Sequence, residues 1–261
     1  MSQKPLDKPS NTPLDKYEIQ KMRVACSLAA KVLNYTGKFI KPGISTIELD
    51  KIADDYTLSL GAVSACIGYH GYPLSTCISP NQVVCHGLPG DYIIKEGDIV
   101  NIDITVKKDN FFGDTSKTFM VGRVSAKAKD IVQVAYESMM IGIESITPKG
   151  WTGDIGFETN KFVTRKGYTT VKEIGGHGIG RVFHSDPFVP AFGKKGKGEK
   201  LRPWTCFTVE PMVNEGTDKF IEKPIHGSSI KYYETADGKL SAQFEHTILL
   251  TDIGYEILTL D

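Results

Sequence analysis

Apolar residues recur at Met22, Cys26, Ala29 and Leu33 within the stretch from Tyr17 to Ile40, the three- and four-residue spacing of one helix face. Pro42-Gly43 ends that pattern. Ser45, followed three residues on by Glu48, makes a capping box and predicts a second helix to about Leu60. From Val63 to Val121 the pattern changes to short β-rich runs punctuated by Gly, Pro and Asn, and strands are predicted at Val83 to Cys85, Ile99 to Val106 and Phe111 to Phe119. The order then repeats. Ile131, Val134, Ala135, Met139 and Ile143 mark a helix from Lys127 to Ile146, and Thr152, after Pro148-Lys149-Gly150, is placed to cap another to about Lys166. Strands are predicted again at Val171 to Ile174, Cys206 to Val213, Gln243 to Leu250 and Tyr255 to Leu258. Two α-α-β halves in one α/β (α+β) domain are the expectation, with pseudo-symmetry inferred from element order alone.

Composition narrows the function. The 261 residues carry 31 Lys+Arg and 31 Asp+Glu, so the bulk attraction that draws basic proteins to nucleic acid or anionic membranes is missing. The most apolar stretches, such as Ile99 to Val106, are interrupted by Asn101 and Asp103 and fall short of the ~18 apolar residues that cross a bilayer. The first 14 residues are polar and proline-rich without an apolar h-region, and read as a flexible tail before a catalytic domain spanning 15–261. Cys26, Cys66, Cys77, Cys85 and Cys206 are odd in number and form no C-x-x-C pair, which argues against a disulfide framework and a thiolate zinc site and for a reducing cytoplasm.

The richest chemical signal is Asp103 and Asp114. A turn centred between Lys108 and Asp109 would set them directly opposite across a hairpin, on the face that alternates with Val100, Ile102, Ile104 and Val106. Two carboxylates so close repel unless neutralised, by a cation or by protonation of one of them in a solvated hairpin. Glu210, in the apolar run CFTVEPMV, and Glu245, in SAQFEHTILL, shift the balance toward the cation, because buried charges are paired or bind metal. His177 adds an imidazole within GGHGIG, where flanking glycines let backbone approach a ligand. Carboxylates with a single imidazole suit two divalent first-row ions and hydrolytic chemistry.

The segments NQVVCHGLP, NIDITVKKDNFFGDTSKTFMVG, GGHGIGRVFH, FTVEPMVN and SAQFEHTILLT, in this order from about Met22 to Leu260, resemble the motifs of the bacterial-type, type I methionine aminopeptidases of peptidase family M24. The resemblance implies a pita-bread fold with two pseudo-symmetric halves around a dinuclear site. It implies that Asp103 binds one metal, that Asp114 and Glu245 bridge both, and that His177 and Glu210 complete the other. It implies Glu210 as the proton handler, His184 as donor to the scissile carbonyl, and His86 in contact with the scissile amide. By the same resemblance Cys66, Tyr69, His70, Tyr72, Cys77 and Phe183 line the slot for the methionine side chain, and a monovalent cation sits near Asn81, Val83 and Ser241. The implied activity is removal of the initiator methionine from nascent polypeptides when the second residue is small and uncharged, by a monomer. The implied cofactors are two divalent ions from among Co, Mn, Fe, Zn and Ni.

Departures from the family pattern are Pro203-Trp204-Thr205-Cys206 before the FTVEP motif, FHSDP from Phe183 to Pro187, and a segment from Asn214 to Lys239 without the usual pocket-rim Trp, for which Tyr232 or Tyr233 would substitute. His246 falls on the opposite strand face from Glu245 and reads as structural. The basic stretch 193–200 is either a solvated loop or a transient ribosome contact. A proline-specific peptidase of the same fold would normally need an N-terminal domain larger than the 102 residues preceding Asp103, and a ligand-deficient adaptor would be expected to have lost one of the five ligands.

Overall fold

The computed structural model describes residues 12–260, so residues 1–11 of the expected tail lie outside it. Residues 12–14 are docked rather than loose. Arg181 Nη1 donates to Thr12 O at 3.0 Å, and buried Leu14 donates its N–H to Trp204 O at 2.6 Å. Trp204, in the left-handed region at φ 66°, donates in turn to Leu250 O at 2.7 Å, which fixes the approach to the following strand.

Four helices follow the predicted order: α1 (Lys16–Gly37), α2 (Thr46–Ser59), α3 (Ala126–Glu144) and α4 (Thr152–Arg165). The capping box expected at Ser45 forms, with Glu48 Oε2 accepting Ser45 N–H at 2.8 Å and Ser45 Oγ accepting Glu48 N–H at 3.3 Å. Thr152 is the first residue of α4 instead of its cap. Asp154 reaches back to Trp151 N–H at 2.9 Å, which frees Thr152 Oγ1 to accept Glu199 N–H at 3.1 Å.

Every strand pairing among the described residues is antiparallel, so the mixed architecture is α+β. The first half centres on the hairpin Ile99–Lys108 and Phe111–Met120. Its turn falls one residue later than expected, on Asp109 and Asn110, both with positive φ (48° and 65°) as a two-residue type I′ connection requires. Asp114 therefore opposes Thr105, and Asp103 opposes Ser116. The shift moves partners by two residues, so both carboxylates keep one face while Val100, Ile102, Ile104 and Val106 pack into a core with Val32, Leu33 and Leu49.

In the second half two predicted strands each divide. Cys206–Val209 pairs with His246–Leu250 in a five-stranded sheet, and Met212–Asn214 pairs with Ser241–Gln243 in a three-stranded one. The register carries through the gap, so Glu210 and Glu245 stand opposite each other at the two interruptions. An isolated bridge from Ser116 to Glu245 ties the hairpin to this joint. The strand expected at Val171 to Ile174 lies instead at Thr169–Thr170, pairing with Met212–Asn214. The core of this half gathers α3, α4 and the five-stranded sheet around Ile131, Met139, Phe207 and Ile248. Among the described residues no helix is long and apolar enough to cross a membrane.

Candidate active site

Hairpin and broken strands aim their carboxylates into one cavity of about 440 Å³, lined by Asp103, Asp114, His177, Glu210 and Glu245 together with His86 and His184. One ligand atom each from Asp114, His177 and Glu245 lie within 4.8 Å of one another. His177 Nε2 is 3.7 Å from Asp114 Oδ2 and 3.6 Å from Glu210 Oε1. Its Nδ1 lies 3.1 Å from Gly178 O. A carbonyl can only accept, so the neutral ring carries its proton on Nδ1 and turns the Nε2 lone pair toward the carboxylates.

The glycines beside His177 serve the packing of its strand. A Cβ on Gly176 would lie 2.2 Å from Thr208 O and one on Gly178 2.1 Å from Asp186 O, so both neighbouring strands close on His177 only because these positions lack side chains. Sequence reasoning also missed Thr208. Its Oγ1 accepts His177 N–H at 2.9 Å and donates to Glu210 Oε1 at 2.8 Å, joining two candidate ligands. The available signal was the period of two that sets Thr208 on the same face as Glu210. Gln243 Nε2 holds the other Glu210 oxygen at 3.0 Å.

Burial raises all four carboxylates. Asp103 is pushed up to about 7 and Glu210 to about 8. Asp114 and Glu245 lie well above the usual range, from burial first and then mutual repulsion. Burial lowers His177 to about 4. Asp103 Oδ1 is buried without a partner. An orphaned carboxylate oxygen, three more crowded carboxylates and an imidazole lone pair fit a divalent cation by donor chemistry.

Cys66, Tyr69, Tyr72, Cys77 and Phe183 line the same cavity beside this cluster. His70 does not; it is exposed on a tight turn at φ 49°, its ring packs edge-to-face on that of Tyr69 at 4.4 Å, outside the cavity lining, and its carbonyl accepts Ser229 N–H at 3.0 Å. His184 Nδ1 lies 2.9 Å from the Tyr69 hydroxyl, and His86 Nδ1 lies 3.3 Å from Lys231 O. Of the two tyrosines offered for the rim, Tyr233 lines the cavity, with its ring 5.8 Å from that of His86. Ile230 joins it. Asn81 and Ser241 are adjacent, Ser241 N–H donating to Asn81 O at 2.9 Å, while Ser241 Oγ is buried without a partner. His246 faces away from the cluster and bonds Thr259 Oγ1 at 2.8 Å. The stretch 193–200 is anchored on α4, with Gly196 N–H donating to Asp154 at 2.7 Å and Lys195 pairing with Glu158.

Residues 20–252 match the model of metallopeptidase family M24, the class of metal-dependent hydrolase to which this fold and this cavity point. The methionine aminopeptidase of Escherichia coli (strain K12) is 49% identical over 245 residues, covering 93% of this chain and 91% of that one. The crystal structure of methionine aminopeptidase from Rickettsia prowazekii superposes with a TM-score of 0.92 at 42% identity, covering 95% of this chain and 99% of that chain. The chain belongs to the methionine aminopeptidases of family M24 and has their pita-bread fold. A prolidase from Pyrococcus horikoshii, at 21% identity and a TM-score of 0.76, shares the fold alone, and this chain spans 64% of its length.

Proposed function

We propose that Asp103, Asp114, His177, Glu210 and Glu245 hold two divalent ions, and that the site removes N-terminal methionine from nascent polypeptides whose second residue is small and uncharged. The observation that carries this is the convergence of four buried carboxylates and one imidazole lone pair in a single cavity. When bound, the ions supply Lewis-acid polarisation and a water acidified toward neutrality. Glu210, its two oxygens fixed by Thr208 and Gln243, would accept a proton at the reacting centre and return it to the departing amine. His184, whose Nδ1 is held 2.9 Å from the Tyr69 hydroxyl, turns its ring toward the carbonyl oxygen to donate as charge builds on it. His86, tied to Lys231 O, contacts the scissile amide. Cys66, Tyr69, Tyr72, Cys77 and Phe183 give the thioether an apolar, polarizable lining. The Asn81, Val83 and Ser241 corner would take a monovalent cation, and Ser241 Oγ supports it as an unsatisfied acceptor. Five buried free thiols support a reducing, cytoplasmic setting for a monomeric enzyme. Transient ribosome contact would fall on the 193–200 loop, whose Gly196 N–H and Lys195 bind Asp154 and Glu158 of α4.

The test is turnover of Met-Ala-Ser, Met-Lys-Ser and Ala-Pro-Ala by chelator-stripped protein with each ion added separately. Release of methionine from Met-Ala-Ser alone, and only with metal, is expected. Cleavage of Ala-Pro-Ala, or turnover after exhaustive chelation, would overturn the reading.

A further inference from the structure

Tyr72 and Cys77 line the apolar slot beside the carboxylate cluster, and the short segment between them belongs to no helix or strand. Ser75 and Thr76 of that segment are nevertheless buried, so their N–H and hydroxyl groups need acceptors from another part of the chain. Asp50, a buried residue of α2 that does not line the cavity, supplies them from a single atom. Its Oδ1 accepts Ser75 N–H at 3.1 Å, Thr76 N–H at 2.8 Å, and the Ser75 and Thr76 hydroxyls at 2.7 Å each.

The clamp reaches the slot from both ends of the segment. Thr76 O accepts the Tyr72 hydroxyl at 2.9 Å, and the same hydroxyl lies 3.3 Å from Gly87 O, next to His86 in the chain. On the other side Thr76 leads directly into the strand Cys77–Pro80, where Cys77 stands opposite Asp103. Holding Ser75 and Thr76 therefore fixes the Tyr72 ring through its hydroxyl and sets the start of the strand that joins the slot to the carboxylates. Without the Asp50 carboxylate, four buried donors lose their acceptor and the segment must shift to find others. We infer that Asp50 is a positioning residue for the methionine slot, shaping it through Ser75, Thr76 and Tyr72 without touching the substrate. The inference rests on the methionine-releasing reading of the site.

The experiment is steady-state turnover of Met-Ala-Ser by the manganese-loaded protein, with active sites counted by metal titration. Asp50→Ala is expected to raise KM about tenfold while kcat per site stays within about twofold, the scale set by removing one buried acceptor from its donors. Asp50→Asn keeps an acceptor oxygen for the same donors and should return KM to within about threefold of wild type. A merely structural loss would lower the active fraction and leave KM per active site unmoved. The double variant Ser75→Ala, Thr76→Val removes the two hydroxyl donors but keeps both N–H groups, and carries the test should Asp50→Ala not fold. It should raise KM about threefold. An unchanged KM in these variants, or an Asn variant as impaired as the Ala one, would overturn the inference alone. A wild type that releases no methionine would overturn the peptidase reading and this inference with it, so the two failures are told apart.

Discussion

Asp114 stands at the centre of the cluster: Thr105 Oγ1 donates to its Oδ1 at 2.8 Å, and its Oδ2 faces His177. Asp114→Asn keeps the shape and removes a charge that burial and Asp103 both penalise. Turnover should be abolished through loss of metal, while the metal-free variant melts above the metal-free wild type; wild-type-like kcat/KM would refute the role given to Asp114. His184→Ala should lower kcat by roughly 10²–10³ with KM little changed, as for loss of an oxyanion donor, and steady-state kinetics on Met-Ala-Ser will separate the two constants. The four acids were legible because carboxylates within strand runs stand out, and His177 because it is an imidazole among glycines in GGHGIG. Thr208, Gln243 and the Tyr69 to His184 bond were not, because an ordinary polar residue acquires its role only when distant segments meet.

The hairpin that carries Asp103 and Asp114 depends on its turn. Asn110 sits at φ 65°, where a Cβ without a local hydrogen-bonding group is strained. Asn110→Ala should cost about 1 kcal/mol in denaturant unfolding and Asn110→Gly close to nothing, and equal losses would show that the turn does not set the register. Gly178→Ala, whose Cβ would meet Asp186 O, should displace the His177 strand and weaken metal binding in calorimetric titration more than it lowers Tm. Periodicity located the helices and both hairpin strands to within a few residues. It set the turn one residue early, because a polar cluster such as KKDN marks a turn without saying which two residues take positive φ. Cys206 to Val213 and Gln243 to Leu250 read as continuous because pairing register is unbroken across the joint, and only the Glu-Pro step hinted that a strand must yield there.

Across the molecule, two halves each bring a pair of carboxylates from paired strands to one cavity, and the doubling was visible in element order before any contact was known. Concentrating charge this way has a pH signature. Carboxyls whose folded pKa is raised contribute stability that is fully present below the unfolded value near 4 and is lost as pH rises through the folded values of about 7 for Asp103 and about 8 for Glu210. Metal-free protein should therefore lose Tm steadily from pH 5 to 8 (roughly the span between those limits), while metal-loaded protein does not, and metal affinity should rise over the same window as protons are released. Calorimetric scans of both forms check this, and a Tm of the metal-free form that rises with pH would oppose it. The central claim, that these five side chains hold a pair of ions, is tested most directly by anomalous diffraction from crystals grown with manganese. The account predicts two peaks about 3.5–4 Å apart, bounded by Asp103 on one side and by His177 and Glu210 on the other, with Asp114 and Glu245 between. A single peak, or a pair outside the carboxylate cluster, would contradict it.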